Sequence, residues 1–185
     1  NNDDLLLVDA GCEYEMYAAD ITRTFPVSGK FSDEQLAIYK VVLDAMNAAI
    51  DMVKPGNHIM QPQEISEKVI TEGLVKLGLL DGDPEELHKS GAYKEFYMHK
   101  IGHWLGLDVH DAGDYVEGEE YMKFKPGMIT TIEPGIYISS SMDIDDKWKG
   151  IGIRIEDDIL VTKDGNENLT KKVPSDPEEI ESLMS

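Results

Sequence analysis

Strand-like runs occupy both ends of the chain, and helix-period runs lie between them. Residues 5–10 (LLLVDA) and 16–25 (MYAADITRTF) each read as a β-strand, and residues 11–15 (GCEYE) suit a hairpin turn. Ser32 with Gln35 forms a capping box. Apolar residues then recur at 36, 39, 43, 46, 50 and 53, which predicts a helix that Pro55-Gly56 stops. A second helix is predicted over 62–77, with Ile65, Val69 and Leu74 inside it and Gly78 at its end. Residues 81–95 are polar and acidic, a loop with a short helix at 84–88. Strands resume near 97–100, 129–138 and 150–162, with a loop-rich stretch over 110–126 and a final short helix at 176–184. Strands at both ends with helices between them give an α+β domain.

Composition narrows the class. At 185 residues and 41% hydrophobic content, the chain is one globular domain with a sizeable core. No apolar run is long enough to span a membrane. The net charge of −20 repels phosphate backbones, which argues against nucleic acid as a partner. The single Cys12 excludes an internal disulfide and favours a reducing, cytoplasmic setting. The chain opens directly in a strand-like run without a methionine, so it reads as a fragment or a processed product.

The chemistry lies in five residues: Asp9, Asp20, His103, Glu133 and Glu156. Each sits in a segment otherwise apolar or rich in glycine and strand formers. Acids avoid such segments, because burying an unpaired charge is costly. A turn centred between residues 14 and 15 would set Asp9 directly opposite Asp20 on one face of a hairpin. Two like charges there destabilise the sheet unless a cation sits between them. Leu5, Leu6, Leu7 and Val8 precede Asp9 as a run of the kind buried on both faces. Glu133 lies in MITTIEPGIYI, an apolar strand that Pro134-Gly135 bends directly after the acid. In GIGIRIEDDILV, Ile151, Ile153 and Ile155 take one face, which makes Arg154 and Glu156 neighbours on the other. A half-exposed strand would show the same alternation.

His99, His103 and His110 fall within FYMHKIGHWLGLDVHD. Gly102 and Gly106 argue against a regular helix there and let the backbone approach closely. His58 and His88 sit in polar surroundings and read as surface residues. Four carboxylates and one imidazole balance two divalent cations. That oxygen-rich set suits Mn(II), Fe(II) or Co(II) better than a zinc site of thiolates or several histidines. Paired metals of this kind supply a potent hydroxide nucleophile near neutral pH.

With these residues in place, the chain resembles the pita-bread (creatinase/aminopeptidase) metallopeptidases, and most closely the aminopeptidase P (Xaa-Pro aminopeptidase) family. The motifs that carry the resemblance are VDAGCEYEMYAADITRTFPVSGKFS, HWLGLDVHD, PGMITTIEPGIYI and GIGIRIEDDILVTKDGNENLT. The resemblance implies a pita-bread fold, incomplete at its N-terminal side, with residues 1–185 as the C-terminal portion of a catalytic domain. An upstream segment with another substrate-binding histidine, and an N-terminal domain used in oligomerisation, would be absent. The full-length protein would be a homo-oligomer. By resemblance, Asp9 chelates one metal and His103 the other, Asp20 and Glu156 bridge, and Glu133 is a terminal ligand beside the nucleophilic water. His99 and His110 match histidines that bind substrate and stabilise the tetrahedral intermediate. Arg154 would hold a bridging carboxylate, and Tyr137 falls where the family places a tyrosine near the site. Lys100 departs from the family, which usually has glycine there.

The implied activity is metal-dependent release of the N-terminal residue from peptides with proline second, by attack of a metal-bridging hydroxide on the scissile carbonyl. The expected cofactor is a pair of Mn(II) ions, with Co(II), Fe(II) or Zn(II) as alternatives. A prolidase acting on Xaa-Pro dipeptides and a non-catalytic pita-bread binding module are the competing readings. Non-catalytic relatives usually lose ligands, and all five are present here.

Overall fold

The computed structural model of the chain describes residues 3–184. Strand β1 (Leu5–Asp9) is followed by a short hairpin, β2 (Glu13–Tyr14) and β3 (Tyr17–Ala18), and then by β4 (Thr22–Pro26). Helices α1 (Asp33–Ile50), α2 (Gln61–Lys76) and α3 (Pro84–Ser90) come next. The C-terminal part holds β5 (Val116–Glu117), β6 (Glu120–Tyr121), β7 (Ile129–Ile132), β8 (Gly135–Tyr137), β9 (Gly152–Arg154), β10 (Asp157–Val161), β11 (Asn166–Asn168) and α4 (Pro177–Met184). Helices between strands bear out the α+β expectation.

The first hairpin differs from its predicted register. Strand β1 pairs antiparallel with β4, and Asp9 lies opposite Thr22 rather than Asp20. The turn centres between Glu15 and Met16, one residue later than expected. Both residues take positive φ (50° and 69°), as a two-residue turn of type I′ requires. The displacement amounts to two residues of pairing. Because side chains alternate with period two, Asp9 and Asp20 still share a face, as diagonal rather than direct partners. Between the two halves of the hairpin, Ala10 donates to Ile21 O and Ala19 to Cys12 O. Gly11 makes this crossing possible, since a Cβ there would meet Ala19 O at 1.6 Å. The run 5–8 is not buried on both faces either: Leu6 (55% exposed) and Val8 point outward.

Ser32 and Gln35 form the expected capping box at the start of α1. The buried stripe of α1 is Ile38, Tyr39, Val42, Ala45, Met46 and Ala49. It is rotated from the predicted stripe, and Leu36, Leu43 and Ile50 are only partly covered. The rotation follows from two-sided packing, because α1 contacts α2 as well as β7, β8 and β9. No strand forms at 97–100. Phe96 and Tyr97 are instead core residues after a 3-10 turn (Ala92–Glu95). The extended segment lies a few residues later, where 101–105 runs antiparallel beside β7. The predicted strands over 129–138 and 150–162 are each split, by Glu133-Pro134 and by Ile155-Glu156. The predicted loop over 110–126 holds the small β5–β6 hairpin. Among the described residues, no helix is long and apolar enough to cross a membrane.

Candidate metal centre

Each split strand delivers an acid at its break. Glu133 follows β7, where Pro134 ends the ladder, and its backbone N–H donates to Ile101 O at 2.7 Å. Glu156 falls between β9 and β10. It is 1% exposed, and its N–H donates to Thr22 O at 3.0 Å. His103 is set by the segment beside β7. Its backbone N–H donates to Thr131 Oγ1 (3.0 Å), and its carbonyl accepts from Thr131 N–H (3.0 Å). Gly102 permits that approach, for a Cβ there would stand 2.0 Å from Thr131 O.

These elements converge on one point. Asp20, His103 and Glu156 each place a ligand atom within 4.8 Å of the others. His103 Nε2 is 3.4 Å from Asp20 Oδ2 and 3.6 Å from Glu133 Oε1. Its Nδ1 lies 3.0 Å from Trp104 O. A carbonyl only accepts, so the proton sits on Nδ1 and the Nε2 lone pair faces the acids. Asp9 lies close enough to Asp20 to raise its carboxyl, and pairs with Arg154 Nη2 at 2.5 Å. Arg154 Nε is 3.9 Å from Glu133 Oε2 and also donates to Thr22 Oγ1 at 3.3 Å, so its carboxylate partners are Asp9 and Glu133 rather than the expected bridging acid, Asp20 or Glu156.

The remaining predicted residues line the approach. A cleft of about 600 Å³ is walled by His99, Lys100, Gly102, His103, His110, Tyr115, Glu133 and Arg154. His110 is exposed, with its ring edge-on to that of His103 at 4.3 Å between centroids. His99 Nε2 lies 2.8 Å from the Tyr137 hydroxyl, which accepts from Arg154 Nη1 at 3.2 Å. His99 Nδ1 donates to Lys100 O at 2.8 Å, so Nε2 accepts the phenol proton. His58 and His88 stay outside the site, but neither is a plain surface residue. Both are half-buried, and His88 stacks on Tyr93 with Nε2 3.4 Å from Glu67.

Crowding marks the electrostatics. Burial pushes Glu156 up to about 8; Glu133, Asp20 and Asp9 add to the rise, and the Thr22 hydrogen bond opposes it. Burial likewise raises Glu133 to about 7, against the pull of Arg154. Asp20 is raised by burial and then by Asp9. Burial lowers His99, and the Arg154 charge adds to the fall against the Lys100 backbone hydrogen bond. Asp20, Glu133 and Glu156, whose ionisation is resisted, stand with Asp9 around an imidazole lone pair turned toward them, a donor set suited to hard divalent cations. The residues therefore fit such ions, with Asp20, His103 and Glu156 at the centre and Asp9 and Glu133 on either side.

Several participants escaped the sequence reading. Thr22 Oγ1 donates to Glu156 Oε2 at 2.6 Å, and Thr131 Oγ1 to Glu133 Oε1 at 3.4 Å. Asp158 Oδ2 accepts from the Asp20 backbone N–H at 3.2 Å, and burial pushes that carboxyl up to about 7. The available signal was threonine alternating into the same strands as the acids, in DITRT and ITTIE.

Comparison with known proteins agrees with this geometry. The sequence profile of metallopeptidase family M24 matches residues 1–163. The chain is 52% identical over its whole length to a Xaa-Pro aminopeptidase of Haemophilus influenzae, and it spans 43% of that relative. It superposes on an aminopeptidase PepP structure from Pseudomonas aeruginosa with a TM-score of 0.97 and 55% identity, covering 98% of this chain and 42% of that one. Against a zinc-substituted Escherichia coli aminopeptidase P in complex with product, the TM-score is 0.95 at 49% identity, covering all of this chain and 42% of the other. The architecture is the pita-bread fold, and the family implies divalent metal ions. By sequence and by structure alike, this chain belongs to metallopeptidase family M24.

Proposed function

We propose that the chain carries the metal centre of an Xaa-Pro aminopeptidase, which releases the N-terminal residue from peptides with proline second. The observation that carries this reading is the convergence of Asp20, His103 and Glu156, flanked by Asp9 and Glu133, from separate segments of the chain. The relatives it matches are named for that activity, and the chain spans 43% of the length of one of them. Residues 1–185 are read as the C-terminal portion of the catalytic domain. Asp9 and His103 would each hold one of two cations, Asp20 and Glu156 would bridge them, and Glu133 would be a terminal ligand. Mn(II) is the first choice on the oxygen-rich donor set, before Co(II), Fe(II) and Zn(II). The exposed, unpaired Cys12 favours a reducing compartment.

When bound, the cations would make a water acidic and polarise the scissile carbonyl. The chain's own residues do the rest. Glu133 lines the cleft beside His103, where its carboxylate can take up the proton of the attacking water. His99 and His110 both line the cleft, where they can orient the peptide and donate to the developing oxyanion. Arg154 holds Asp9 and Glu133 in place and, through Tyr137, fixes His99.

Metal analysis followed by assays on Ala-Pro-Ala and Ala-Pro tests the proposal. The expected result is stoichiometric divalent metal and release of alanine from the tripeptide. Preference for the dipeptide would replace the reading with prolidase, and absence of metal uptake would overturn it.

A further inference from the structure

Behind the candidate centre lies a buried cation that the proposed reaction does not use. Arg23 is 3% exposed and follows Thr22 on the opposite face of β4. All five of its N–H donors have acceptors. Nε donates to Pro174 O (2.8 Å), Nη1 to Thr22 O (2.9 Å) and Glu156 O (2.6 Å), and Nη2 to Asp157 Oδ1 (2.7 Å) and Val173 O (2.7 Å). Asp157 is itself fixed by Thr170 Oγ1 and Asn168 Nδ2. Glu156 sits outside the strand ladders, so these bonds matter more than usual. Its N–H goes to Thr22 O, its carbonyl accepts from Arg23, and its carboxylate accepts from Thr22.

We infer that Arg23 is a positioning residue for the metal centre. It ties the backbones of Thr22 and Glu156 to each other and to the C-terminal segment, and so sets where the Glu156 carboxylate stands relative to Asp20 and His103. This rests on the proposed function above. Arginine suits the task because its planar fork reaches several acceptors at fixed angles, which a lysine ammonium does not. A guanidinium that served only the core would affect stability and leave the metal constant alone.

The test is calorimetric titration of Mn(II) into the metal-free wild type, Arg23→Lys, and the double variant Arg23→Met with Asp157→Asn, which leaves no unpaired buried charge. Tyr39→Phe is the control. Its hydroxyl donates to Ser175 O and ties down the same C-terminal segment without touching Glu156. All variants should melt below the wild type. Only the Arg23 variants should bind Mn(II) more weakly, by about tenfold or more, as loss of an outer-shell partner typically does. Folded Arg23 variants with the wild-type constant would overturn the inference. If neither folds, Asp157→Asn alone carries the test: the guanidinium then faces a neutral partner, weaker Mn(II) binding supports the inference, and an unchanged constant overturns it. A wild type that takes up no Mn(II) overturns the proposed function and this inference with it.

Discussion

Thr22 and Glu156 hold each other reciprocally. The threonine hydroxyl donates to Glu156 Oε2 at 2.6 Å, and the Glu156 N–H returns to Thr22 O at 3.0 Å. The pair joins β4 to the break between β9 and β10 across 134 residues of sequence. Thr22→Val keeps the shape and removes the hydroxyl, leaving a buried carboxylate short of a donor. We expect a loss of about 1–3 kcal/mol in the metal-free protein at pH 9, where Glu156 is ionised. Urea unfolding with coincident midpoints for both proteins would show that the hydroxyl is dispensable.

The crowded acids set the pH dependence of the metal-free fold. Glu156 titrates at about 8 and Glu133 at about 7 in the folded chain, against about 4.3 in an unfolded one. The folded state therefore binds more protons than the unfolded state between those values. Their contribution to stability is present below the unfolded value and lost as pH rises through the folded ones. Denaturant midpoints in EDTA should fall from pH 5 to pH 9. A rise across that range would contradict the raised values.

Divalent cations should reverse that penalty. Metal that binds only the folded state stabilises by mass action, about 2.7 kcal/mol at one hundred times the dissociation constant. For a chain of this size that amounts to roughly 5–10 °C in midpoint. Thermal melts with EDTA and with Mn(II) should differ accordingly for the wild type, and should coincide for Asp20→Asn. A shift that survives in Asp20→Asn would place the binding elsewhere.

Gly102 tests the geometry from the backbone side. A Cβ at this position would stand 2.0 Å from Thr131 O, so Gly102→Ala must push the 101–105 segment off β7 and carry His103 with it. We expect destabilisation of about 1–3 kcal/mol, as for other overpacked sites. The Mn(II) stabilisation should weaken as well. A variant with both wild-type midpoints would mean that the segment moves without consequence.

How far the sequence could be read depended on the range of each signal. The five candidate residues stood out because acids and an imidazole are anomalous in apolar and glycine-rich segments, and that anomaly is local. The hairpin register was not local in this sense. It depended on a turn at Glu15-Met16 that carries neither glycine nor asparagine to announce its positive φ. The shared face of Asp9 and Asp20 survived because the displacement was even. Thr22 and Arg23 were harder to single out for another reason: threonine and arginine are ordinary in strands, the alternation of Thr22 with Asp20 is a weak signal, and their importance lies in bonds to residues far along the chain. The stripe of α1 was misplaced because apolar spacing cannot tell one packing partner from two.

His103 and His110 separate metal binding from catalysis. Their rings meet edge-on at 4.3 Å, yet only His103 turns a lone pair toward Asp20 and Glu133. His110 is exposed at the cleft wall and, among the described residues, is not one of the converging ligand groups. Under the proposed function it would donate a hydrogen bond where charge develops on the carbonyl oxygen, an effect worth about 3 kcal/mol of barrier. In the full-length protein, His110→Ala should therefore keep its metal and lose roughly a hundredfold or more in turnover of Ala-Pro-Ala. His103→Ala should instead lose metal, and its activity should recover in part as Mn(II) is raised. Metal content and turnover measured side by side decide the matter. Unchanged turnover in His110→Ala would make that histidine a bystander on an acidic loop, and full metal content in His103→Ala would remove it from the centre.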